Sequence, residues 1–397
     1  MTIRGGPDII EDGLVLHLDA ADENGYESGN TYILNIAKGR YVENDTTART
    51  LDDINFIVAN AGGSSGGWDF NTKTFSNSVA GTNAGYPRLL SSHTLLTNNI
   101  YEIYGRFSGG NRNRIYYGRL TTGGGYNYVP YDNITGNFSA VQIQNDTYNR
   151  MDFVSNGTAT FGGVVLEEFF LRRINAGLLR NSPTISNGFI TFDGTNDYID
   201  LGDILDDVIA GTDNKFSISV WVNFNSLADD ISYQMVSKQG DSNFGENERQ
   251  MIFNVRNLTS YNYGGYRVEF GTYGALTSTV YRFYRTSDFS VETNKWYNLV
   301  ATYDGSVDTN NGADRVNIYA NGVLLSKTSS FTAGSLNSSI PSGAARLAIG
   351  AAIGKKNSNS PLGLFNGSMG NISIYNKTLT SDEITQNYNA TKGRYGL

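Results

Sequence analysis

The chain has 397 residues, with 30 Lys and Arg against 38 Asp and Glu, and no cysteine. A net charge of −8 without a basic segment disfavours binding to nucleic acid, and the lack of cysteine excludes thiol nucleophiles, zinc–thiolate sites and disulfides. No apolar run approaches the roughly 18 residues of a membrane-spanning helix, so the sequence predicts no membrane insertion. The first residues lack the apolar segment of a secretory signal, and we therefore expect folding in a cytoplasm.

The composition is typical of an all-β protein. Glycine is abundant, at 46 residues, aromatic residues reach 12%, and charged residues are only 17%. Turns rich in Gly and Asn separate runs of Tyr, Phe, Val, Ile and Thr, which are the residues that favour strands.

The first half of the chain predicts short strands. Leu14–Asp19 is an apolar run suited to a strand, and the Gly- and Ser-rich residues 61–67 predict a flexible loop. From Trp68 to Asn175, short β-like runs recur and predict one β-sandwich of about 110 residues. The run Val164–Leu171 is favoured as a strand over a helix because it starts with β-branched residues.

The second half gives sharper signals. Lys215–Phe224 alternates strictly, which predicts a strand with one face in a core. Asn321-Gly322 between two apolar runs predicts a hairpin with a type I′ turn. Thr380-Ser-Asp-Glu383 is a capping box, which predicts a helix from Ser381 to about Tyr388.

Five motifs in the last 210 residues occur in the order found in one family. They are Phe192–Ile199, Phe216–Val222, Trp296–Gly305, Ile318–Gly322, and Phe365–Leu379 with Glu383-Ile384. Together they resemble the laminin-G-like jelly roll of the concanavalin A-like lectin/glucanase superfamily. The resemblance implies an all-β, laminin-G-like jelly-roll sandwich and places Trp221 and Trp296 in its core.

The two ends of the chain resemble those of such domains in tailed-bacteriophage virion proteins. These segments are residues 6–20 and 387–397. In those proteins the opening strand leads quickly into the jelly roll, whereas a long segment intervenes here. We interpret this as three parts: residues 1–24 as an attachment arm and the first jelly-roll strand, 25–176 as an inserted β-sandwich similar to carbohydrate-binding modules, and 177–397 as the jelly roll. Tandem domains with a free N-terminal arm remain the alternative.

The sequence predicts no enzyme. Glucanases of this superfamily use closely spaced carboxylates on one strand, and the nearest match, Glu43 with Asp45, lacks the third. Glu167 and Glu168 are adjacent, so on a regular strand they face opposite sides. There is no Gly-x-Ser-x-Gly motif, and we expect His17 to be a packed histidine.

Two tyrosine-rich loops are candidate glycan contacts, because sugars offer CH faces to aromatic rings and hydroxyl edges to Asn, Asp or Gln. The candidate residues are Tyr126, Tyr128, Tyr131, Tyr261, Tyr263 and Tyr266. The alternatives are a protein interface and ordinary hairpin loops.

No cofactor is expected to be required, and calcium is the metal that jelly rolls of this type often carry. Oxygen ligands suffice for calcium, and the candidate ligands are Asp193, Asp197 and Asp304. The alternative is that these residues only stabilise turns through their own side-chain hydrogen bonds.

The resemblance implies a non-enzymatic structural protein on the surface of a tailed-phage virion: a head fibre, a capsid decoration or a tail appendage. Its partners would be other virion proteins and glycans on the host surface, bound multivalently. It would assemble in the host cytoplasm as a homo-oligomer, with a trimer favoured, and residues 393–397 would be an attachment tail. The alternatives are a purely architectural capsid- or tail-stabilising protein, and a glycoside hydrolase or lectin of a cell.

Overall fold

A computed structural model describes much of the chain. The described residues are 8–22, 24–28, 30–38, 41–42, 48–50, 54–56, 66–69, 72, 74–77, 87–89, 99–109, 115–120, 126–128, 137–143, 151–155, 161–240, 248–276, 279–307, 310–334, 339–353 and 361–397. The chain forms two compact units, one of residues 1–40 and 176–397 and the other of residues 41–175.

The strands are numbered in chain order. Those before residue 41 are β1 (Leu14–Leu18) and β2 (Tyr32–Leu34). Those of the second unit are β3 (Arg49–Thr50), β4 (Ile54–Phe56), β5 (Gly66–Asp69), β6 (Thr74–Asn77), β7 (Pro87–Leu89), β8 (Ile100–Ser108), β9 (Ile115–Leu120), β10 (Tyr126–Tyr128), β11 (Asn137–Ile143), β12 (Met151–Ser155) and β13 (Phe161–Arg173).

The remaining strands belong to the first unit. They are β14 (Ala176–Arg180), β15 (Thr184–Ser186), β16 (Phe189–Asp193), β17 (Tyr198–Asp200), β18 (Gly211–Thr212), β19 (Lys215–Phe224), β20 (Ser232–Gly240), β21 (Glu248–Arg256), β22 (Arg267–Tyr273), β23 (Tyr281–Thr286), β24 (Trp296–Asp304), β25 (Val316–Ala320), β26 (Val323–Leu324), β27 (Lys327–Ala333), β28 (Ser339–Ile340), β29 (Leu347–Ile349) and β30 (Asn366–Tyr375). The helices are α1 (Asp206–Ile209) and α2 (Ser381–Thr391), with 3₁₀ turns at Thr259–Tyr261, Asn310–Arg315 and Lys392–Tyr395. No helix in the described part combines the length and apolarity that crossing a membrane requires.

The first unit is a sandwich of two antiparallel sheets. Among the described residues, one sheet has eight strands in the order β15-β16-β30-β19-β24-β25-β26, with β1 also paired to β30. The other has nine, in the order β2-β14-β17-β29-β20-β21-β22-β23-β27. A large cluster of buried apolar side chains from both sheets lies between them, including Phe216, Val222, Phe253 and Phe270. The prediction of an all-β jelly-roll sandwich is confirmed.

The second unit interrupts the first between β2 and β14. Strand β1 pairs antiparallel with β30, with Leu16 opposite Ile374, and β2 pairs with β14, with Leu34 opposite Ala176. Strands from both sides of the second unit therefore share the sheets of the first. The observed limits are residues 40/41 and 175/176, whereas the sequence analysis placed the first limit at residues 24/25.

In the described residues of the second unit there are two antiparallel sheets. One has the order β10-β9-β12-β7-β4, and the other has the order β11-β8-β13-β6-β5, with β3 paired to β13. The expected strand at Val164–Leu171 lies within β13, so the strand interpretation of this run is confirmed.

Local signals in the second half of the chain are confirmed. Strand β19 has the predicted bounds, and its alternate residues from Phe216 to Phe224 lie in the core. Asn321 and Gly322 have φ angles of 51° and 81°, as a type I′ turn requires. Thr380 forms both bonds of its capping box with Glu383, and α2 continues to Thr391, past the predicted end.

The C-terminal residues are part of the folded unit, so the expectation of an attachment tail at residues 393–397 is wrong. Tyr395 is 6% exposed and stacks on Trp221 with ring centroids 3.9 Å apart. Arg394 forms an ion pair with Asp19 at 2.7 Å. The side of β19 that points away from the core is covered by α2 and this segment, where Trp221 stacks on Tyr388 and Tyr395.

Candidate ligand-binding face

The surface of the nine-stranded sheet that points away from the core carries an unusual set of side chains. On β21, Met251, Phe253 and Val255 belong to the core. Because side chains alternate along a strand, the residues between them lie on the opposite surface, which we call the outer face. Its side chains on β20, β21, β22, β23 and β27 are Gln234, Ile252, Asn254, Arg256, Glu269, Tyr273, Tyr281, Phe283, Arg285 and Phe331. Arg249 joins them because the strand pairing is irregular between Arg249 and Met251, and its guanidinium lies 5.6 Å from the ring centroid of Tyr273.

An apolar row crosses the outer face. Ile252 lies opposite Gly271, Gly271 opposite Phe283, and Phe283 opposite Phe331. The ring of Phe283 covers Gly271 so closely that a Cβ built there would lie 1.5 Å from the ring Cδ1. Any side chain at position 271 would therefore displace the ring. Glycine here lets the aromatic surface lie flat on the sheet.

A polar row runs beside the apolar one. Gln234 lies opposite Asn254, Asn254 opposite Glu269, and Glu269 opposite Arg285. The amide nitrogens of Gln234 and Asn254 both donate to Oγ of Ser232, at 3.2 and 2.8 Å. Their amide oxygens are buried and have no hydrogen-bond partner among the described residues. Both oxygens lie below the accessible surface, so these amides support the outer face from beneath and do not form its contact surface.

The charged groups of the outer face are stacked on aromatic rings. The Arg256 guanidinium forms an ion pair with the fully buried Glu269 and lies 4.8 Å from the ring centroid of Phe331. The Arg285 guanidinium lies 4.2 Å from the ring centroid of Tyr263. Burial lowers the pKa of Arg256, but the neighbouring Glu269 outweighs that effect, so the pKa lies above its ordinary value. Arg256 therefore stays cationic, and each guanidinium gains a cation–π contact.

The loop of residues 257–266 folds over the outer face and separates its three candidate tyrosines. Tyr263 is buried, its hydroxyl donates to Glu269 at 3.0 Å, and burial raises its pKa. Tyr261 is 56% exposed and meets Phe331 edge-on with centroids 4.8 Å apart. Tyr266 is half-buried, with its hydroxyl bonded to Asp229. Tyr261 is thus the member of this loop that a ligand can contact most directly, whereas Tyr263 supports the face from beneath.

Apolar side chains are exposed where neighbouring loops meet at the rim of the outer face. Ile231 is 45%, Tyr261 56% and Leu362 37% exposed. The Asp230 carboxylate accepts from both the backbone N–H and the hydroxyl of Thr259, which joins the first two loops. The third loop, which carries Leu362, is joined to strand β20 by the backbone hydrogen bond from Gln234 to the carbonyl of Gly363. These bonds hold the rim in place before any ligand arrives.

Residues 193–385 match a family model described as the concanavalin A-like lectin/glucanases superfamily. These residues form a concanavalin A-like domain. They include α1, strands β17 to β30 and the outer face. No curated protein matches the chain.

Three of the similar solved structures are a sialidase, one domain of an arabinanase and the binding domain of a neurotoxin. A Trypanosoma rangeli sialidase in complex with sialic acid is 14% identical with a TM-score of 0.36, over 55% of this chain and 30% of that one. Domain 4 of AbnA, a GH43 extracellular arabinanase from Geobacillus stearothermophilus in complex with arabinotriose, is 16% identical with a TM-score of 0.33, over 53% and 81%. The botulinum neurotoxin serotype G binding domain is 15% identical with a TM-score of 0.34, over 53% and 44%. The matched region thus spans less than a third of the sialidase.

The candidate calcium ligands stabilise turns in the concanavalin A-like domain. Asp193 accepts from the backbone N–H groups of Thr195 and Asn196, which lower its pKa. Asp197 accepts from the N–H of Asp193. Asp304 is paired with Lys215 at 2.9 Å. Among the residues that the structure describes, no three His, Asp or Glu side chains are grouped as a metal site would require.

The other candidate residues lie in the second unit. Tyr126 and Tyr128 lie on β10, at one edge of its sheet, and Tyr131 lies outside the described residues, as do Glu43 and Asp45.

The expectation that Glu167 and Glu168 face opposite sides of their strand is wrong. Strand β13 has a bulge between Leu166 and Glu168, which changes the alternation. Both carboxylates therefore reach the same nitrogen of Arg106, at 3.1 and 3.0 Å. They form a surface ion-pair cluster.

His17 is a packed histidine, as expected. It is buried, and its Nδ1 lies 2.7 Å from Oγ of Ser373.

Most of the residues of the outer face were not among the candidate site residues predicted from the sequence. The alternation in Glu248–Arg256 and Arg267–Tyr273 was a usable signal, because polar residues recur there at every second position. What the sequence did not indicate is which strands are neighbours, and therefore that Gln234, Asn254, Glu269 and Arg285 form one row.

Proposed function

We propose that the protein is a non-enzymatic carbohydrate-binding protein that adheres to glycans through the outer face of its concanavalin A-like domain. The observation that carries this proposal is that the half-buried rings of Tyr281 and Phe331 lie on the same face of one sheet as the guanidinium of Arg285. Sugar rings present apolar CH faces and polar hydroxyl edges, which the rings and the guanidinium respectively match.

The accessible parts of the outer face are suited to weak, repeated contacts. Phe331 and Tyr281 are half-buried, and Tyr261 is exposed beside Phe331. A sugar ring stacked on this surface would leave its hydroxyls near the guanidinium of Arg285. A shallow face of this kind supports modest affinity at each site, and many copies on one particle would supply avidity.

We also propose that the protein does not catalyse glycoside hydrolysis, because the described outer face lacks a suitable pair of carboxyl groups. Glycoside hydrolysis generally needs two carboxyl groups on either side of the bond that is broken. The outer face as defined above offers Glu269, which is buried and neutralised by Arg256. We expect no release of reducing sugar from β-glucans or bacterial polysaccharides by the purified protein. Release that is abolished by one Asp or Glu substitution would contradict this.

We propose further that the protein lies on the surface of a tailed-phage virion, as a homo-oligomer in a head fibre, capsid decoration or tail appendage. The support is the resemblance of residues 6–20 and 387–397 to the ends of such virion domains. Mass spectrometry of purified particles of the phage that encodes the chain should detect it at a fixed copy number. Its absence from purified particles would contradict this placement.

Glycan binding is tested with purified protein on a glycan array, followed by titration calorimetry with the glycans that bind. Phe331→Ala and Tyr261→Ala should each weaken binding about tenfold, which corresponds to about 1.4 kcal/mol. Leu324→Ala is the matched control, because Leu324 is 53% exposed on the other sheet. If no glycan binds while the protein is present in virions, the architectural alternative is favoured instead.

A further inference from the structure

We propose that the outer face selects glycans that carry a carboxylate, and that the Arg285 guanidinium recognises it. This inference rests on the proposed function of the same face and adds the class of ligand. The chain as a whole is acidic, with a net charge of −8. On the outer face, the guanidinium groups of Arg256 and Arg285 lie on either side of the carboxylate-bearing strand residue Glu269.

Arg256 and Arg285 differ in the groups that their guanidinium groups contact. Arg256 is paired with Glu269, a carboxylate with no exposed surface, and this pair is internal to the face. Arg285 donates one hydrogen bond from Nη1 to the carbonyl of Ser329, at 3.1 Å. In the described part of the chain it has no carboxylate partner. Glu269, the residue opposite Arg285, is engaged with Arg256 and Tyr263.

The position of Arg285 is fixed by the groups beneath it. Its guanidinium lies over the ring of Tyr263, and the hydroxyl of Tyr263 is held by Glu269. With one N–H bonded to the carbonyl of Ser329, the guanidinium keeps its remaining N–H donors in its own plane. That planar arrangement matches the two oxygens of a carboxylate, which accept a pair of parallel hydrogen bonds.

We expect one sugar to contact both the aromatic rings and the Arg285 guanidinium. The Arg256 guanidinium lies 6.0 Å from the ring centroid of Tyr263 and 4.8 Å from that of Phe331, so both rings contact the same guanidinium. Tyr261 extends the same surface next to Phe331. A uronic or sialic acid residue stacked on Phe331 and Tyr261 would place its carboxylate toward Arg285. A neutral sugar could make the stacking contacts and not the ionic one.

The first experiment needs no variant. Calorimetry with the full-length protein compares an oligogalacturonate with the same oligosaccharide after its carboxyl groups are reduced to alcohols, and a glycan array compares sialylated glycans with their desialylated forms. We expect at least one acidic member of these pairs to bind about tenfold more tightly than its neutral counterpart. Equal binding of the acidic and neutral members would overturn the inference and leave the proposed function intact. No binding to any glycan would overturn both.

Variants then assign the preference to Arg285. Arg285→Gln should remove the difference in affinity between the acidic ligand and its neutral counterpart. Arg285→Lys should recover only part of the preference, because an ammonium group lacks the planar pair of donors. Lys295→Gln is the control, since it removes a positive charge from an exposed position paired with Glu292. A preference that survives Arg285→Gln in a protein with unchanged melting temperature would contradict the role of Arg285.

Discussion

At the scale of single residues, the sandwich contains two kinds of buried polar group. Some are paired with a charged partner, and others have an acceptor that no described residue satisfies. Lys238 is fully buried, and its ammonium group donates to Asp203 and to the carbonyl of Ala345, both at 2.7 Å. Asp200 is equally buried and pairs with Arg346 at 2.6 Å. Such pairs are satisfied internally, whereas the amide oxygens of Gln234 and Asn254 have no hydrogen-bond partner among the described residues. Buried acceptors of this kind are commonly satisfied by an ordered water molecule.

Trp221→Ala should destabilise the protein by about 3–5 kcal/mol, because a large buried aromatic side chain leaves a cavity. The Trp221 ring stacks on both Tyr388 and Tyr395, and its Nε1 donates to Thr391 at 3.0 Å. Chemical denaturation monitored by circular dichroism measures the change. Trp296→Ala is the comparison, and a smaller loss is expected because Trp296 is only half-buried. An unchanged denaturation midpoint for Trp221→Ala would show that this packing contributes little.

His17 should make the protein less stable in mild acid. Burial lowers its pKa below the ordinary 6.5, and this outweighs the opposite effects of Asp19 and Asp22. Between the lowered pKa and 6.5 the unfolded chain binds more protons than the folded one. The stability from neutral His17 is therefore complete above pH 6.5 and decreases as the pH falls toward the folded-state pKa. Melting temperatures at pH 7.5 and 5.5 should differ less in His17→Gln than in the native protein; an equal difference in both would contradict this.

At the scale of elements, the sequence predicts a structure well where the signal is local. The turn of Asn321-Gly322, the capping box at Thr380 and the bounds of β19 each depend on neighbours within a few residues. The bulge at Leu166/Glu168 and the burial of Tyr395 depend on strands and side chains that are distant in sequence. The same limit applies to the candidate site, where Tyr261 and Tyr263 have similar sequence contexts but opposite exposure.

The C-terminal segment is the element whose role differs most from the sequence-based expectation. Deleting residues 393–397 removes the Tyr395 ring from Trp221 and the Arg394 guanidinium from Asp19. We expect the truncated protein to lose at least about 2 kcal/mol of stability, as for other losses of buried aromatic packing. Thermal melting measures this, and deletion of Leu397 alone, which is 51% exposed, is the control. A truncated protein with native stability would restore the attachment-tail interpretation.

At the scale of the whole molecule, the second unit is inserted into a first unit that holds its own core. Every buried apolar residue of the cluster between the two sheets belongs to residues 1–40 or 176–397. The sheets of the first unit are also completed without the second, because β1 pairs with β30 and β2 with β14. We infer that the first unit can fold without residues 41–175.

Joining Arg40 to Ala176 through two glycines should therefore give a folded protein. Leu34 lies opposite Ala176 in an antiparallel pair, so residues 35–40 and the glycines need only form the loop of a long hairpin. We expect cooperative unfolding, a β-type circular dichroism spectrum and the same glycan binding as the full chain, since the outer face lies within the retained residues. As a control, the same deletion with Ile374→Asp, which places a charge in the core opposite Leu16, should not fold. An aggregated or non-cooperative product of the deletion without that substitution would mean that the second unit is required for the first to fold.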